Sequence, residues 1–312
     1  MSILTKYCFK KFRGILKGGL LEYLFLTAAF DRATRRATDG MTLVTGSSYA
    51  QYAFDSKIVN NSLLLAGQSQ DVYYSIMCLK RSINLVEDNG GSVKKCILIL
   101  GYYAPFQDLS LQKNDRIEHI GGTYYPLFND AHNWDNPEDT RCWHKGYRYP
   151  QWFKNLIENQ VENYLFDTNS YFDDISLREK IRKGELCWSQ LDEVTRRRIA
   201  QERADKHNRL LKYTEVFNDT LQEMKGLNSY LSQRNARIQV IVPPFSREYL
   251  EFLNDDLKET FYLWLQKVGL MHNIVDFNVS NEMLEDDACF IDPDHLSDMG
   301  AMLFTEKIKG MI

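Results

Sequence analysis

A serine hydroxyl is a poor nucleophile until a histidine accepts its proton, and a carboxylate must hold that histidine in the right tautomer. Two stretches of the sequence supply these residue types: Gly46-Ser47-Ser48-Tyr49-Ala50 near the start and Asp292-Pro293-Asp294-His295-Leu296-Ser297 near the end. Asp292 and His295 are close enough in sequence for one turn of chain to set the carboxylate against one imidazole nitrogen and leave the other for Ser48. Asp294 adjoins His295, but a sequence neighbour faces the ring less well, so Asp292 is the expected acid. A second turn, Gly67-Gln68-Ser69, adds a glycine. The backbone N–H groups of Ser48 and Gly67 are expected to face a developing oxyanion, the missing side chain at Gly67 allowing close approach. Each piece has a plain structural alternative. Gly-Ser-Ser is a common strand-end turn or helix cap, and His295 reads equally as a polar residue before a capped helix. Their joint placement favours acyl-transfer chemistry.

That placement depends on the elements between them. Short apolar runs predict strands at Thr42 to Thr45, Ser62 to Ala66, Cys96 to Leu100, Ile238 to Val242 and Asn273 to Phe277. Runs without alternation suit strands buried on both faces of a parallel sheet. Val72, Ile76, Leu79, Ile83 and Val86 recur at helical spacing, with Ser69 or Asp71 as the cap. A long helical region is expected over about Glu193 to Gln233, and a last helix after Ser297 with Leu303, Phe304 and Ile308 as its buried stripe. Strands alternating with helices predict an α/β fold, a three-layer α/β/α sandwich around a central, mostly parallel, flavodoxin-like five-stranded sheet. Open sheets of this kind carry their sites at the carboxyl ends of the strands, where the Gly46 and Gly67 turns fall.

The residues around these turns resemble the SGNH/GDSL hydrolase superfamily. The likeness lies in Val44-Thr45-Gly46-Ser47-Ser48-Tyr49-Ala50, in Leu65-Ala66-Gly67-Gln68-Ser69, and in Phe290-Ile291-Asp292-Pro293-Asp294-His295-Leu296-Ser297. It is nearest the Gly-Ser-Ser branch, which includes DltD-type D-alanine-transfer proteins and proteins associated with surface polysaccharides. The resemblance covers about 40–101 and 200–312. It implies Ser48 as nucleophile, His295 as general base, Asp292 as its orienter, and oxyanion donors at the Ser48 and Gly67 backbones. Two departures stand out. Ser47 replaces the usual Asp before the nucleophile, as in that branch, and the family's Gly-x-Asn-Asp block has no match after the third strand. Tyr102, Tyr103 or Gln107 would have to replace the missing Asn, with Tyr102 the first candidate. Gln68 and Tyr103 are further candidates for contact with substrate. The expected function is a serine-dependent esterase or O-acyltransferase, O-acetyl in the first instance, acting on a carbohydrate such as a bacterial surface or capsule polysaccharide. The alternative is a catalytically inactive relative that binds glycan or assists polysaccharide assembly.

The segment from Tyr102 to about Trp188 breaks the rhythm of strands and helices and holds 17 of the 40 aromatic residues. It is expected to be an insertion, about 102–190, packed over the sheet of one domain spanning 38–312. Trp134, Trp143, Tyr147, Tyr149 and Trp152 could stack sugar rings, although an insertion poor in aliphatics must also bury itself with aromatics. Asp130, His132, Asp135, Cys142 and His144 lack the ligand spacing of common zinc motifs, so no metal is expected. His207 reads as an interhelical polar residue. No cofactor is expected either, though a transferase would draw on an acyl donor such as acetyl-CoA.

Composition sets the outer bounds. The 312 residues are 44% hydrophobic with a formal net charge of −4, enough for a sizeable core and without the basic excess of a nucleic-acid binder. Residues 1–37, read as a separate basic helical segment, carry eight Lys or Arg against two acids, leaving −10 on the remainder. Tyr7, Phe9, Phe12, Ile15 and Leu16 among those cations form a surface able to touch an anionic membrane. A helix packed on the domain with a solvated basic face is the simpler reading. No signal peptide or spanning helix is expected, because Glu22 interrupts the short apolar stretch from Gly18 to Phe30. Six scattered cysteines suggest reduced, buried thiols and a cytoplasmic protein, peripheral to a membrane at most.

Overall fold

The computed structural model describes residues 20–112, 116–135, 188–279 and 286–311. Five strands form one parallel sheet: β1 (Met41–Gly46), β2 (Ser62–Ala66), β3 (Val93–Ile99), β4 (Arg237–Val242) and β5 (Ile274–Asp276), in the order β2-β1-β3-β4-β5. This is the flavodoxin-like order, with its switch point between β1 and β3. Thr42 pairs with Ser62 and Gly46 with Ala66 on one side of β1, while Leu43 and Gly46 pair with Cys96 and Ile99 on the other. Every residue of β1 is buried. Side chains alternate between faces along a strand, so burial of the whole run requires cover above and below. Helices supply that cover, giving the expected α/β/α sandwich.

Helix α1 (Leu20–Arg35) buries Phe25, Leu26, Ala29, Phe30 and Ala33 in the same core cluster as the sheet. This part of the basic opening segment is therefore integral to the body of the fold. Residues 1–19 lie outside the described residues. Helix α2 (Ser48–Ala53) begins directly after β1 and is capped by Ser47, whose side chain accepts the Tyr49 N–H. Helix α3 (Val72–Asp88) buries the predicted stripe from Val72 to Val86, and of the two proposed caps Asp71 is the one used, accepting from the Tyr74 N–H. Such a cap contributes about 1 kcal/mol.

After β3 the chain runs through short 3-10 turns at Ala104–Phe106 and Leu109–Leu111, a π-helical stretch Arg116–Tyr124 and the single turn α4 (Tyr125–Phe128). The Tyr124 ring stacks on Tyr74 at 4.1 Å, and Phe128 meets Phe30 edge-on at 6.1 Å. Tyr102, Tyr103, Phe106, Tyr124 and Trp134 are all buried. In this described stretch after β3 these five aromatics are packing residues. Trp143, Tyr147, Tyr149 and Trp152 lie outside the described residues, as do Cys142 and His144.

The long helix expected over Glu193 to Gln233 is two helices, α5 (Glu193–Asn208) and α6 (Thr214–Ser232), separated by a 3-10 turn at Arg209–Lys212. The reason is packing. Helix α5 buries only Ala200, Ala204 and His207, whereas α6 lays Val216, Phe217, Leu221 and Met224 into the core. Asn208 fastens the break by donating to the Phe252 carbonyl and accepting the Asn254 N–H. Among the described residues the remaining α-helices are α7 (Arg247–Phe252), α8 (Asp255–Val268) and α9 (Asp298–Lys309). Ser297 caps α9 and Phe304 and Ile308 are buried as expected, but Leu303 is exposed, with Ala301 and Thr305 completing the buried face. Cys78, Cys96 and Cys289 are free, buried thiols. Among the described residues no helix is long and apolar enough to cross a membrane.

Candidate active site

Three loops converge at the carboxyl end of β1. The first is the β1–α2 junction. Gly46 has φ +147°, and a Cβ there would overlap the Ile99 carbonyl oxygen of the neighbouring strand, so only glycine lets the chain turn here. The turn delivers Ser48 as the first residue of α2, where its N–H has no carbonyl one turn earlier to bond.

The second loop carries the histidine. An isolated bridge between Phe290 and Leu296 pinches the chain, and Ile291 N–H donates to the His295 carbonyl at 3.1 Å. The Asp292 Oδ1 accepts the N–H groups of Asp294 and His295 at 3.0 and 2.9 Å, folding the carboxylate back onto its own loop. Gly300 lets the start of α9 lie against this loop, since a Cβ there would overlap the Cys289 carbonyl.

The result is an unbroken chain of contacts. His295 Nε2 lies 2.8 Å from Ser48 Oγ, and His295 Nδ1 lies 3.0 and 2.9 Å from the two Asp292 carboxylate oxygens. Tyr52 and Tyr49 flank the imidazole at ring distances of 4.8 and 5.2 Å. Asp294 Oδ1 is farther from Nδ1, at 3.6 Å, so Asp292 occupies the acid position.

Asp294 has a different task. It is buried, and it accepts Arg203 Nε–H with oxygens at 3.0 and 2.9 Å and the Tyr49 hydroxyl at 2.7 Å. Burial raises its pKa, but Arg203, and after it His295, overcome that and hold the carboxyl well below its ordinary range. Burial followed by Asp294 pushes the Tyr49 phenol up, so it stays a neutral donor. His207, next in this buried group, is driven down to about 3, first by burial and then by Arg203. It is thus neutral, bonded to the Tyr249 hydroxyl at 2.6 Å and stacked on Tyr103 at 4.1 Å. These contacts support the interhelical reading of His207.

The third loop, Gly67 to Gln70, closes on itself through Gln70 N–H to Gly67 O at 3.2 Å, with Ser69 left-handed at φ +53°. A Cβ at Gly67 would lie 2.8 Å from Tyr124 Oη. The absence of a side chain at Gly67 thus lets the buried Tyr124 hydroxyl pack close to the loop. Gln70 anchors the loop from below, its two Nε2–H groups shared among Thr45 Oγ1, the Leu65 carbonyl and Ser75 Oγ at 2.9, 3.0 and 3.0 Å.

Ser48, Asp292 and His295 open onto a cleft of ≈ 350 Å3, also lined by Gln68, Ser69 and Tyr52. Its far wall is one face of α5, formed by Ile199, Glu202, Arg203 and Lys206. Spacings of three and four put these side chains in one row. Sequence reasoning missed this wall because α5 read simply as a polar helix. Among the other expected contacts, Gln68 lines the cleft. Tyr102 does not: its hydroxyl is bound to Asp276 at 2.6 Å, beyond β4, a correction to its place as third oxyanion donor. Tyr103 is buried against Tyr49 and His207, and Trp134 is buried, so neither is among the cleft's lining residues. Gln107 spends its amide on the Ser69 carbonyl at 3.0 Å, supporting the loop. Asp292, Asp294 and His295 bring ligand-type atoms within 4.8 Å of one another, but their polar atoms are taken up by the contacts above.

No family model matches the sequence, and no curated protein matches it. A solved structure provisionally described as a platelet activating factor from Streptococcus pneumonia is similar over 100% of this chain and 99% of its own, at 8% identity and a TM-score of 0.44.

Proposed function

We propose that this protein is a serine-dependent acyl-ester enzyme of the SGNH type, an esterase or O-acyltransferase acting on an acylated carbohydrate such as a surface polysaccharide. The observation that carries the reading is the Ser48–His295–Asp292 relay at 2.8 and 2.9 Å, opening onto a cleft. In the proposed reaction Ser48 Oγ attacks the ester carbonyl carbon while its proton passes to His295 Nε2. Asp292 steadies the imidazolium through Nδ1–H. The carbonyl oxygen becomes an oxyanion facing the free Ser48 N–H, with the Gly67 N–H as its partner donor. Collapse breaks the carbon–oxygen bond to the alcohol, which leaves with the proton held on His295. A water or a sugar hydroxyl then repeats the sequence on the acyl-serine, returning Ser48 and releasing an acid or a new ester. The free, buried thiols fit a cytoplasmic setting.

A second reading, a glycan-binding protein without turnover, draws on the fate of the three candidates for the third donor: the Tyr102 hydroxyl and the Gln107 amide are committed elsewhere, and Tyr103 is buried against Tyr49 and His207, away from the cleft lining. Loss of one donor typically costs about 10²–10³ in rate. Release of acetate from acetylated oligosaccharides, compared between the wild-type chain and Ser48→Ala, separates the two. Turnover lost in Ser48→Ala supports the enzyme, whereas glycan binding with no turnover in either chain supports the second reading.

A further inference from the structure

Helix α5 carries four arginines, three of which lie outside the cleft lining and are spent on carboxylates. Arg196 meets Glu248 and Asp287, Arg197 meets Glu251, and Arg198 meets Glu202. Arg203 differs. Asp294 engages it through Nε alone, so both terminal nitrogens, with four N–H donors, have no protein partner among the described residues. Its side chain is 34% exposed and lines the catalytic cleft. Burial lowers the pKa of Arg203, but Asp294 more than offsets this and the pKa stays high, so the charge is permanent. Lys206, one turn farther along the same face, is exposed on the cleft wall and forms no ion pair among the described residues. Of the acids nearby, Glu202 is paired with Arg198 and Asp294 with Arg203, while Asp292 is hydrogen-bonded to His295 and to two amides of its own loop.

A planar guanidinium held by its Nε edge and open at its fork is a preorganised seat for an oxyanion, because the two forward N–H groups match two oxygens of a carboxylate or phosphate. We propose that the substrate is an anionic ester whose carboxylate or phosphate sits on Arg203 and Lys206, which sets the acyl group over Ser48. The assignment of an ester rests on the reading of Ser48 as nucleophile. The anion seat itself rests on the side chains of α5.

Three methyl galactoside monoacetates that differ only at C6 test it: galacturonic acid, galactose 6-phosphate and galactose. Binding of each to full-length Ser48→Ala is measured by calorimetry, then repeated with Lys206→Ala or Arg203→Lys added. At least one anionic sugar is expected to bind about tenfold or more tightly than the neutral one, a preference reduced by both added substitutions. The carboxylate and phosphate arms show which anion is taken. Equal binding of all three, no binding of any, or an anionic preference untouched by both substitutions overturns the proposal. Fluorophosphonate labelling of the wild-type chain keeps the two readings apart. A labelled Ser48 without anionic preference removes only the seat. Anionic preference without labelling leaves the seat and removes the nucleophile.

Discussion

The Arg203 guanidinium and the Asp294 carboxylate meet through Nε, at 3.0 and 2.9 Å to the two oxygens, directly behind the imidazole of His295. This pair joins α5 to the histidine loop and leaves the terminal nitrogens of Arg203 toward the cleft. Asp294→Asn leaves Arg203 opposite a neutral amide. Removing one partner of a buried pair costs about 3–5 kcal/mol, and with Arg203 partly exposed the expected loss is about 1–3 kcal/mol. Because the carboxyl is held below its ordinary pKa, its contribution is present above the unfolded value, about 4, and fades as pH falls toward the folded value. Urea unfolding at pH 7 and at pH 3 should show a large difference between wild-type and variant at pH 7 and a smaller one at pH 3.

Asp292→Asn should do the reverse. Asp292 is partly exposed, and its partners are His295 Nδ1 and two amides of its own loop. An asparagine Oδ1 can keep both amide bonds, but its Nδ2 donates toward Nδ1 and holds the imidazole in the wrong tautomer, so kcat is expected to fall about 10³–10⁴-fold with a small change in stability. Steady-state kinetics on an acetyl ester beside a melting curve gives both readouts. Comparable loss of activity in Asp294→Asn, with Asp292→Asn near wild-type, would exchange the roles of the two aspartates.

Gly46→Ala should destabilise severely, by about 3 kcal/mol or more, because the new methyl meets Ile99 backbone and not a movable side chain, at a φ that alanine rarely adopts. The measurement is the urea midpoint. Gly226→Ala is the control, an open site where a methyl meets nothing within 4 Å.

Asp71 predicts an opposite pH trend to Asp294. Desolvation leads the shift that raises its carboxyl to about 6, against the pull of the Leu109 and Tyr74 amides. A raised folded pKa means stability that is full below about 4 and declines as pH rises through 6. The melting temperature of wild-type relative to Asp71→Asn should therefore fall between pH 4 and 6 and level off above. A flat difference across that window contradicts the assignment.

Much of the sheet was legible because its strands are buried on both faces and read as unbroken apolar runs, as in Leu63-Leu64-Leu65. Ser48, His295 and Asp292 were legible because each lies beside a strand end or helix cap with its own local signature. Arg203 was not, since nothing in Arg-Ala-Asp-Lys-His distinguishes it from Arg196 or Arg198 until the fold sets it behind Asp294. Tyr102 misled for a related reason: its position after β3 is correct, but its hydroxyl reaches Asp276, a partner far along the chain that local sequence cannot reveal. The split between α5 and α6 was hidden by continuous helical propensity across Asn208, and tertiary contacts to Phe252 and Asn254 override it.

If Ser48 is a nucleophile activated by His295, covalent labelling reports it without need of the natural substrate. The wild-type chain is treated with a serine-reactive fluorophosphonate and the adduct located by peptide mass spectrometry, alongside Ser48→Ala and His295→Ala. One adduct is expected, on Ser48, absent in Ser48→Ala and strongly slowed in His295→Ala. A wild-type chain that stays unlabelled, or labels equally in all three, contradicts it.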